Sequence, residues 1–167
     1  EVVESQRFIM GEPVKALEAT LADYLGAKNA IACASGTDAL LLSLKALKLA
    51  PGEEVITTPF TFFATAGAIH NAGGRPVFVD IDPATFNIDP AGVEAAITDR
   101  TRLVFITNPA NPAGTMLDKG EVDRLAAGMP DSAILILDGA YAEFAEGYDG
   151  GVALIEGGAQ IVMTRTF

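Results

Sequence analysis

Basic residues are scarce in this chain. Eleven lysines and arginines stand against 22 aspartates and glutamates, for a formal net charge of −11. A polyanion of that kind repels nucleic acid and anionic membrane, and both are excluded as partners. The acidic residues are scattered rather than clustered, which describes a solvated surface and not an acidic tail. Cysteine is nearly absent: Cys33 stands alone, so no disulfide can close within the chain. Its place in an apolar run reads as that of a small buried hydrophobe. No apolar stretch reaches membrane-spanning length, and the start Glu1-Val2-Val3-Glu4 is unlike a signal peptide, so a soluble, cytoplasmic protein is expected. Neither G-x-G-x-x-G nor G-x-x-x-x-G-K-[ST] occurs. The one histidine, His70, lies amid alanine and glycine and reads as a packing or surface residue rather than a base. No metal site is expected. The first residue is not methionine, the last two are Thr166-Phe167, and both ends read as cut.

What the chain does have is apolar content, 50% of 167 residues, enough for one domain with a real core. Val14, Leu17, Leu21 and Leu25 recur at helical spacing and predict an amphipathic helix over 12–26. The run 30–34 predicts a buried strand. Thr37 or Asp38 is expected to cap a helix that runs to Leu49, ended by Pro51-Gly52. Further strands are expected at 54–58, 76–80, 103–107, 133–138 and 160–164. Helices are expected at 61–71, from Asp89-Pro90 through Ile97, and from Asp118 through Ala127. The last strand follows a glycine-punctuated stretch. Continuous apolar strands alternating with amphipathic helices specify an α/β fold: a mostly parallel sheet covered by helices on both faces.

Ligands of such sheets bind beyond the carboxyl ends of the strands, so the residues leaving each strand form the candidate site. Ser35-Gly36-Thr37 opens a helix, where free N–H groups and the helix dipole suit a phosphate; the same residues also suit a plain N-cap and turn. Phe62 suits stacking on a flat ring, or core packing. Asp138, after Ile134-Leu135-Ile136-Leu137, puts a carboxylate beside apolar walls, suited to capping a turn or to pairing with a protonated ring nitrogen. Asn111 and Tyr141 are neutral donors for a phenolate-like oxygen. Together they describe a site for an anionic, aromatic, protonated cofactor.

These residues resemble those of fold-type-I pyridoxal-phosphate aminotransferases. Residues 1–102 are similar to the sugar-nucleotide aminotransferases of the DegT/StrS type. The matching stretches include Arg7-Phe8-Ile9-Met10-Gly11, Ser35-Gly36-Thr37-Asp38-Ala39-Leu40, Thr57-Thr58-Pro59-Phe60-Thr61-Phe62 and Val77-Phe78-Val79-Asp80-Ile81-Asp82-Pro83. Residues 103–167 instead resemble histidinol-phosphate aminotransferases. There Asn-Pro-x-Asn-Pro-Thr-Gly-Thr appears as 108–115 with Ala113 for threonine, and Asp-Glu-Ala-Tyr-x-Glu-Phe as 138–144 with Gly139 for glutamate. Arg165-Thr166-Phe167 is similar to the approach to that family's Ser-x-Lys. The two resemblances meet near Thr101-Arg102, as a natural recombinant, a chimera or a joined sequence.

The resemblance implies a partial large domain of the aminotransferase fold, spanning 1–167, with pyridoxal 5′-phosphate as cofactor. Ser35, Gly36 and Thr37 would hold its phosphate, Phe62 would stack on its ring, and Asn111 and Tyr141 would bond its phenolic oxygen. Asp138 would keep the ring nitrogen protonated through a charge-assisted bond. The Schiff-base lysine of the family would come just after Phe167. Lys15, Lys28, Lys45, Lys48 and Lys119 fall on predicted helices or their flanks, so no catalytic residue is assigned, and a cofactor-binding but inactive fragment is expected. The intact relatives transfer an amino group from a small donor such as glutamate to a keto-sugar nucleotide or to imidazole-acetol phosphate, and act as homodimers. Two other readings stay open: a nucleotide-binding α/β domain for another ligand, and a non-catalytic folding or interaction module.

Overall fold

The computed structural model describes residues 2–24, 28–149 and 151–164. The chain divides into two compact units, one up to Ala39 and one from Leu40.

The first unit holds α1 (Val2–Ser5), α2 (Glu12–Tyr24) and the opening of α3 (Gly36–Ala46). Helix α2 follows the predicted spacing, with Val14 and Leu21 half-buried and Leu17 exposed; the expected end at 25–26 lies outside the described residues. Gly11 precedes it because a Cβ there would stand 2.7 Å from the Arg7 carbonyl oxygen. The strand expected over 30–34 does not form, and Cys33, expected buried, is exposed. An apolar run becomes a strand only where a neighbour takes up its backbone groups. Here the Ala32 N–H donates instead to Glu18 Oε1 at 2.8 Å, and Ile31 is 83% exposed. A short alanine-rich run carries the same pattern whether or not a partner covers it.

The second unit is built on one sheet. Its strands are β1 (Glu54–Thr57), β2 (Arg75–Phe78), β3 (Thr101–Thr107), β4 (Ile134–Asp138) and β5 (Ile161–Thr164). All neighbours pair in parallel, in the order β2-β1-β3-β4-β5. The crossovers carry α4 (Ala64–Asn71), α5 (Pro90–Ala96), α6 (Lys119–Gly128) and α7 (Val152–Glu156). The α/β fold read from the sequence is therefore the fold of this unit.

Alternate side chains of the three central strands, β1, β3 and β4, serve two separate cores. Ile56, Val104, Ile106, Leu135 and Leu137 pack with Val93 of α5 and with Val122 and Leu125 of α6. Val55, Leu103, Phe105 and Ile136 pack with Leu44 of α3 and with Ala68 and Ile69 of α4. Both faces are thus covered, which is why the strands read as unbroken apolar runs. Each fully buried Leu, Ile or Val contributes about 1.5–3 kcal/mol.

Helix starts follow their caps. Asp89 accepts from the Ala91 N–H at 3.0 Å with Pro90 at the first helical position. Asp118 and Glu121 form a reciprocal capping box at α6. Inside the glycine-punctuated stretch, Asp149 accepts from Gly151 and Ala153 N–H and starts the unforeseen α7. His70 lies exposed in the last turn of α4. No described helix is long and apolar enough to cross a membrane.

Candidate functional site

The carboxyl edge of the sheet in the second unit gathers polar side chains in register. Thr107, Asp138 and Thr164 are direct neighbours across β3, β4 and β5. By the alternation of the pleat they share the face of Phe105 and Ile136, the face that α3 and α4 cover further down. Asp138 is half-buried there. Its Oδ1 accepts from the Thr164 hydroxyl at 2.9 Å and from the Ala140 N–H at 3.3 Å. Among the described residues no hydrogen bond reaches its Oδ2. The carboxylate is anchored through one oxygen.

The loop leaving β3 is held from below by Asn108, which is wholly buried. Its backbone N–H donates to the Asp138 carbonyl at 2.9 Å. Its side chain accepts from the Leu117 N–H at 2.8 Å and donates to the Tyr148 hydroxyl at 3.1 Å. That anchoring carries Asn111 to the surface, where its Nδ2 donates to the Tyr141 hydroxyl at 3.0 Å. Tyr141 follows β4 just before a short 3₁₀ turn, Ala142–Phe144. The two donors expected from the sequence are thus a bonded pair. They border an open groove of about 470 Å³ that also involves Pro109, Met116 and Phe144.

Phe62 lies between β1 and α4, at the same carboxyl edge, and is 77% exposed. It is not core, which removes the alternative reading of an aromatic in such a turn. Nearby Phe60 does pack, its ring centroid 6.0 Å from that of Phe86. A small cavity of about 20 Å³ opens between Phe60, Thr61, Phe86 and Asn111.

In the first unit, Ser35, Gly36 and Thr37 are exposed at the start of α3. The cap is Ser35, not Thr37 or Asp38. Its hydroxyl oxygen accepts from the Asp38 N–H at 3.1 Å, and that hydroxyl is also 3.1 Å from Asp38 Oδ2. The helix begins earlier than expected because serine in this position satisfies the third N–H. The N–H groups of Gly36 and Thr37, as first residues of the helix, have no preceding carbonyl to pair with. A Cβ added at Gly36 would meet nothing within 4 Å, so the backbone is open to close approach.

The lysines lie where the sequence put them: Lys15 in α2, Lys45 in α3, Lys119 in α6, with Lys28 and Lys48 in connections. None leaves the carboxyl end of a strand. Among the described residues no group of histidine, cysteine and acidic side chains could hold a metal ion.

Sequence reasoning missed an ionic cluster at the opposite, amino edge of the sheet. Glu54, 2% exposed, accepts from the Thr98 hydroxyl at 2.8 Å, from Arg100 at 2.6 Å and from Arg75 at 3.1 Å. The Thr98 hydrogen bond, with Arg100 and Arg75, holds its carboxyl below the usual value although burial pushes the other way. Glu53 pairs with Arg102 at 2.7 Å beside it. The only signal in the sequence was an acid pair opening an apolar strand. These contacts fasten the end of the sheet away from the site.

The sequence pattern of the DegT/DnrJ/EryC1/StrS aminotransferase family matches residues 1–152. A pleiotropic regulatory protein of Geobacillus stearothermophilus is 53% identical over 126 residues, covering 75% of this chain and 33% of that protein. A histidinol-phosphate aminotransferase of Ruegeria pomeroyi is 46% identical over 137 residues, covering 82% of this chain and 37% of the enzyme. Among solved structures, E. coli GDP-4-keto-6-deoxy-D-mannose-3-dehydratase with bound hydrated PLP superposes with a TM-score of 0.67 at 33% identity, over 83% of this chain and 36% of that one. The chain spans about a third of the length of the relatives it matches. With the family pattern covering most of its length, the chain belongs to the DegT/DnrJ/EryC1/StrS aminotransferase family.

Proposed function

We propose that the chain forms the cofactor-binding wall of a pyridoxal-phosphate-dependent aminotransferase. The observation that carries this reading is the half-buried Asp138, held through Oδ1 and carrying Oδ2 without a partner among the described residues, with the bonded pair Asn111–Tyr141 at the same strand ends. A carboxylate so held suits a ring N–H⁺, and two neutral donors suit a ring oxygen. The exposed Phe62 suits a flat ring, and the open start of α3 suits a phosphate. The residues of the second unit therefore fit the ring, and those opening α3 in the first unit fit the phosphate. A pyridoxal-phosphate ligand in a superposable relative supports the same choice.

Each side chain then has a defined task. Asp138 holds a proton at the ring nitrogen by a charge-assisted hydrogen bond. Asn111 and Tyr141 fix the ring oxygen, Phe62 excludes water from one ring face, and Ser35, Gly36 and Thr37 bind the phosphate. When bound, pyridoxal phosphate supplies an electron-withdrawing ring that stabilises negative charge on a substrate's Cα. None of Lys15, Lys28, Lys45, Lys48 or Lys119 forms the covalent link to it, because each lies on a helix or in a connection and none leaves the carboxyl end of a strand. These 167 residues bind the cofactor non-covalently and do not turn over.

The whole enzyme would move an amino group from a donor such as glutamate to a keto acceptor, in the cytoplasm and as a homodimer. A keto-sugar nucleotide acceptor is supported by the likeness to the GDP-4-keto-6-deoxy-D-mannose enzyme and by the resemblance of residues 1–102, and imidazole-acetol phosphate by the likeness to the Ruegeria histidinol-phosphate aminotransferase and the resemblance of residues 103–167. We treat both stretches as parts of one cofactor domain. The family pattern over 1–152 and the Ruegeria relative over 137 residues both run through residue 102, which supports that choice.

Titrating the purified chain with pyridoxal phosphate, before and after borohydride, tests this. Saturable binding that Asp138→Ala weakens, with no lysine adduct, is the expected result. An adduct mapped to one lysine would overturn the non-covalent reading, and an absence of binding would overturn the cofactor site.

A further inference from the structure

Resting on that cofactor reading, we propose that Thr164 is a positioning residue: its hydroxyl fixes the Asp138 carboxylate so that Oδ2 alone is offered to the ring nitrogen. Thr164 ends β5 and is the direct register partner of Asp138 on β4. Parallel pairing puts the two side chains on the same face, and the Thr164 Oγ1–H donates to Asp138 Oδ1 at 2.9 Å. The second bond to that carboxylate, from the Ala140 N–H, falls on the same oxygen.

The asymmetry matters. An aspartate side chain has two torsions, and a carboxylate bonded through both oxygens has no preferred vacancy. Two donors on Oδ1 define the plane of the group and draw its accepting capacity to one side. Oδ2 then meets an incoming N–H⁺ without a competing donor among the described residues. A threonine at a strand end does this well because its β-branched side chain is stiff at χ1. The Ala140 N–H belongs to the turn that also carries Tyr141, so one carboxylate couples the end of β5 to the loop bearing the ring-oxygen donors.

A structural hydroxyl and a positioning one separate by ligand. Thr164→Val keeps shape and strand propensity but removes the donor, and Thr164→Ser keeps the donor. The chain and its variants are titrated with pyridoxal phosphate and with the 1-deaza analogue, which has carbon in place of the ring nitrogen. Thermal unfolding confirms that each variant is folded. Thr164→Val is expected to weaken pyridoxal phosphate about tenfold, the size of one hydrogen bond to a charged group. It should leave the deaza analogue unchanged, with Thr164→Ser restoring the loss. Equal weakening of both ligands by Thr164→Val, or failure of serine to rescue, overturns the proposal. If Asp138→Asn weakens pyridoxal phosphate while Thr164→Val does not, the cofactor reading stands and the positioning role falls. If the chain binds neither ligand, both fall together.

Discussion

A buried amide has four hydrogen-bonding valences to satisfy, and Asn108 shows what that requirement builds. Its backbone bonds the end of β4, and its side chain bonds Leu117 in one direction and Tyr148 in the other. One residue thereby ties a strand end, both ends of the loop that carries Asn111, and a turn forty residues on. Replacing it with alanine leaves the Leu117 N–H buried without its acceptor, a penalty of roughly 1–3 kcal/mol. Urea unfolding of Asn108→Ala should show a loss of that order, with Tyr148→Phe costing less because the amide keeps its bonds to Leu117. Equal stability in Asn108→Ala would mean that the loop is held by something other than this amide. The resemblance marked Asn108 as part of a motif; its role as an anchor became visible only once its partners were in place.

At the scale of elements, what could be read in advance depended on whether the signal was local. Asp89-Pro90 and Asp118 with Glu121 carry their helix starts within four residues of sequence, and both caps form. The two-sided sheet was legible because both faces of β1, β3 and β4 need apolar residues. The run 30–34 carried the same apolar signal without a strand, since pairing is decided by distant chain. The short α7 was hidden by flanking glycines, and the Glu54 cluster by the distance in sequence between its members, from residue 54 to residues 98 and 100. The candidate site divides the same way: Asn111, Asp138 and Tyr141 were visible from strand-end positions, whereas Thr164's bond to Asp138 required the register of β5. The local caps also give the cleanest element-scale prediction. Asp118→Ala removes the side-chain acceptor of the Glu121 N–H at α6, whose Val122 and Leu125 are core, while the backbone N–H at 118 keeps the Glu121 carboxylate, and should cost about 1 kcal/mol by urea or thermal unfolding. A change within error would show that α6 is held by its packing alone.

For the whole molecule the question is how a chain with a net charge of −11 responds to acid. Two effects oppose each other. Protonating scattered surface carboxylates relieves self-repulsion as pH falls toward the sequence pI of about 4.3. Against it stand carboxylates held below their usual values in the fold: Glu53 by the Ala50 N–H and then Arg102, Glu54 by Thr98 and then its arginines, Asp82 by Thr85 and Ala84 N–H, Asp149 by Gly151 and Ala153 N–H. A group whose folded value is depressed contributes stability that is fully present above its unfolded value, here 4.5 for the glutamates and 3.8 for the aspartates, and is lost as pH falls through the lower folded value. The repulsion is therefore relieved first and the specific bonds fail afterwards. Stability should be level or rise slightly from neutral pH toward about 5 and then drop below about 4.5. Salt separates the terms, because it screens surface repulsion more than the short contacts of the buried Glu54 carboxylate with its exposed arginines. In Glu54→Gln the chain should be less stable at pH 7, since two arginines lose their anion, and its decline below 4.5 should be shallower than in the parent. Urea midpoints across pH 3–8 at high salt decide it: parallel curves for parent and variant would mean that the acid sensitivity rests on Glu53, Asp82 and Asp149 and not on Glu54.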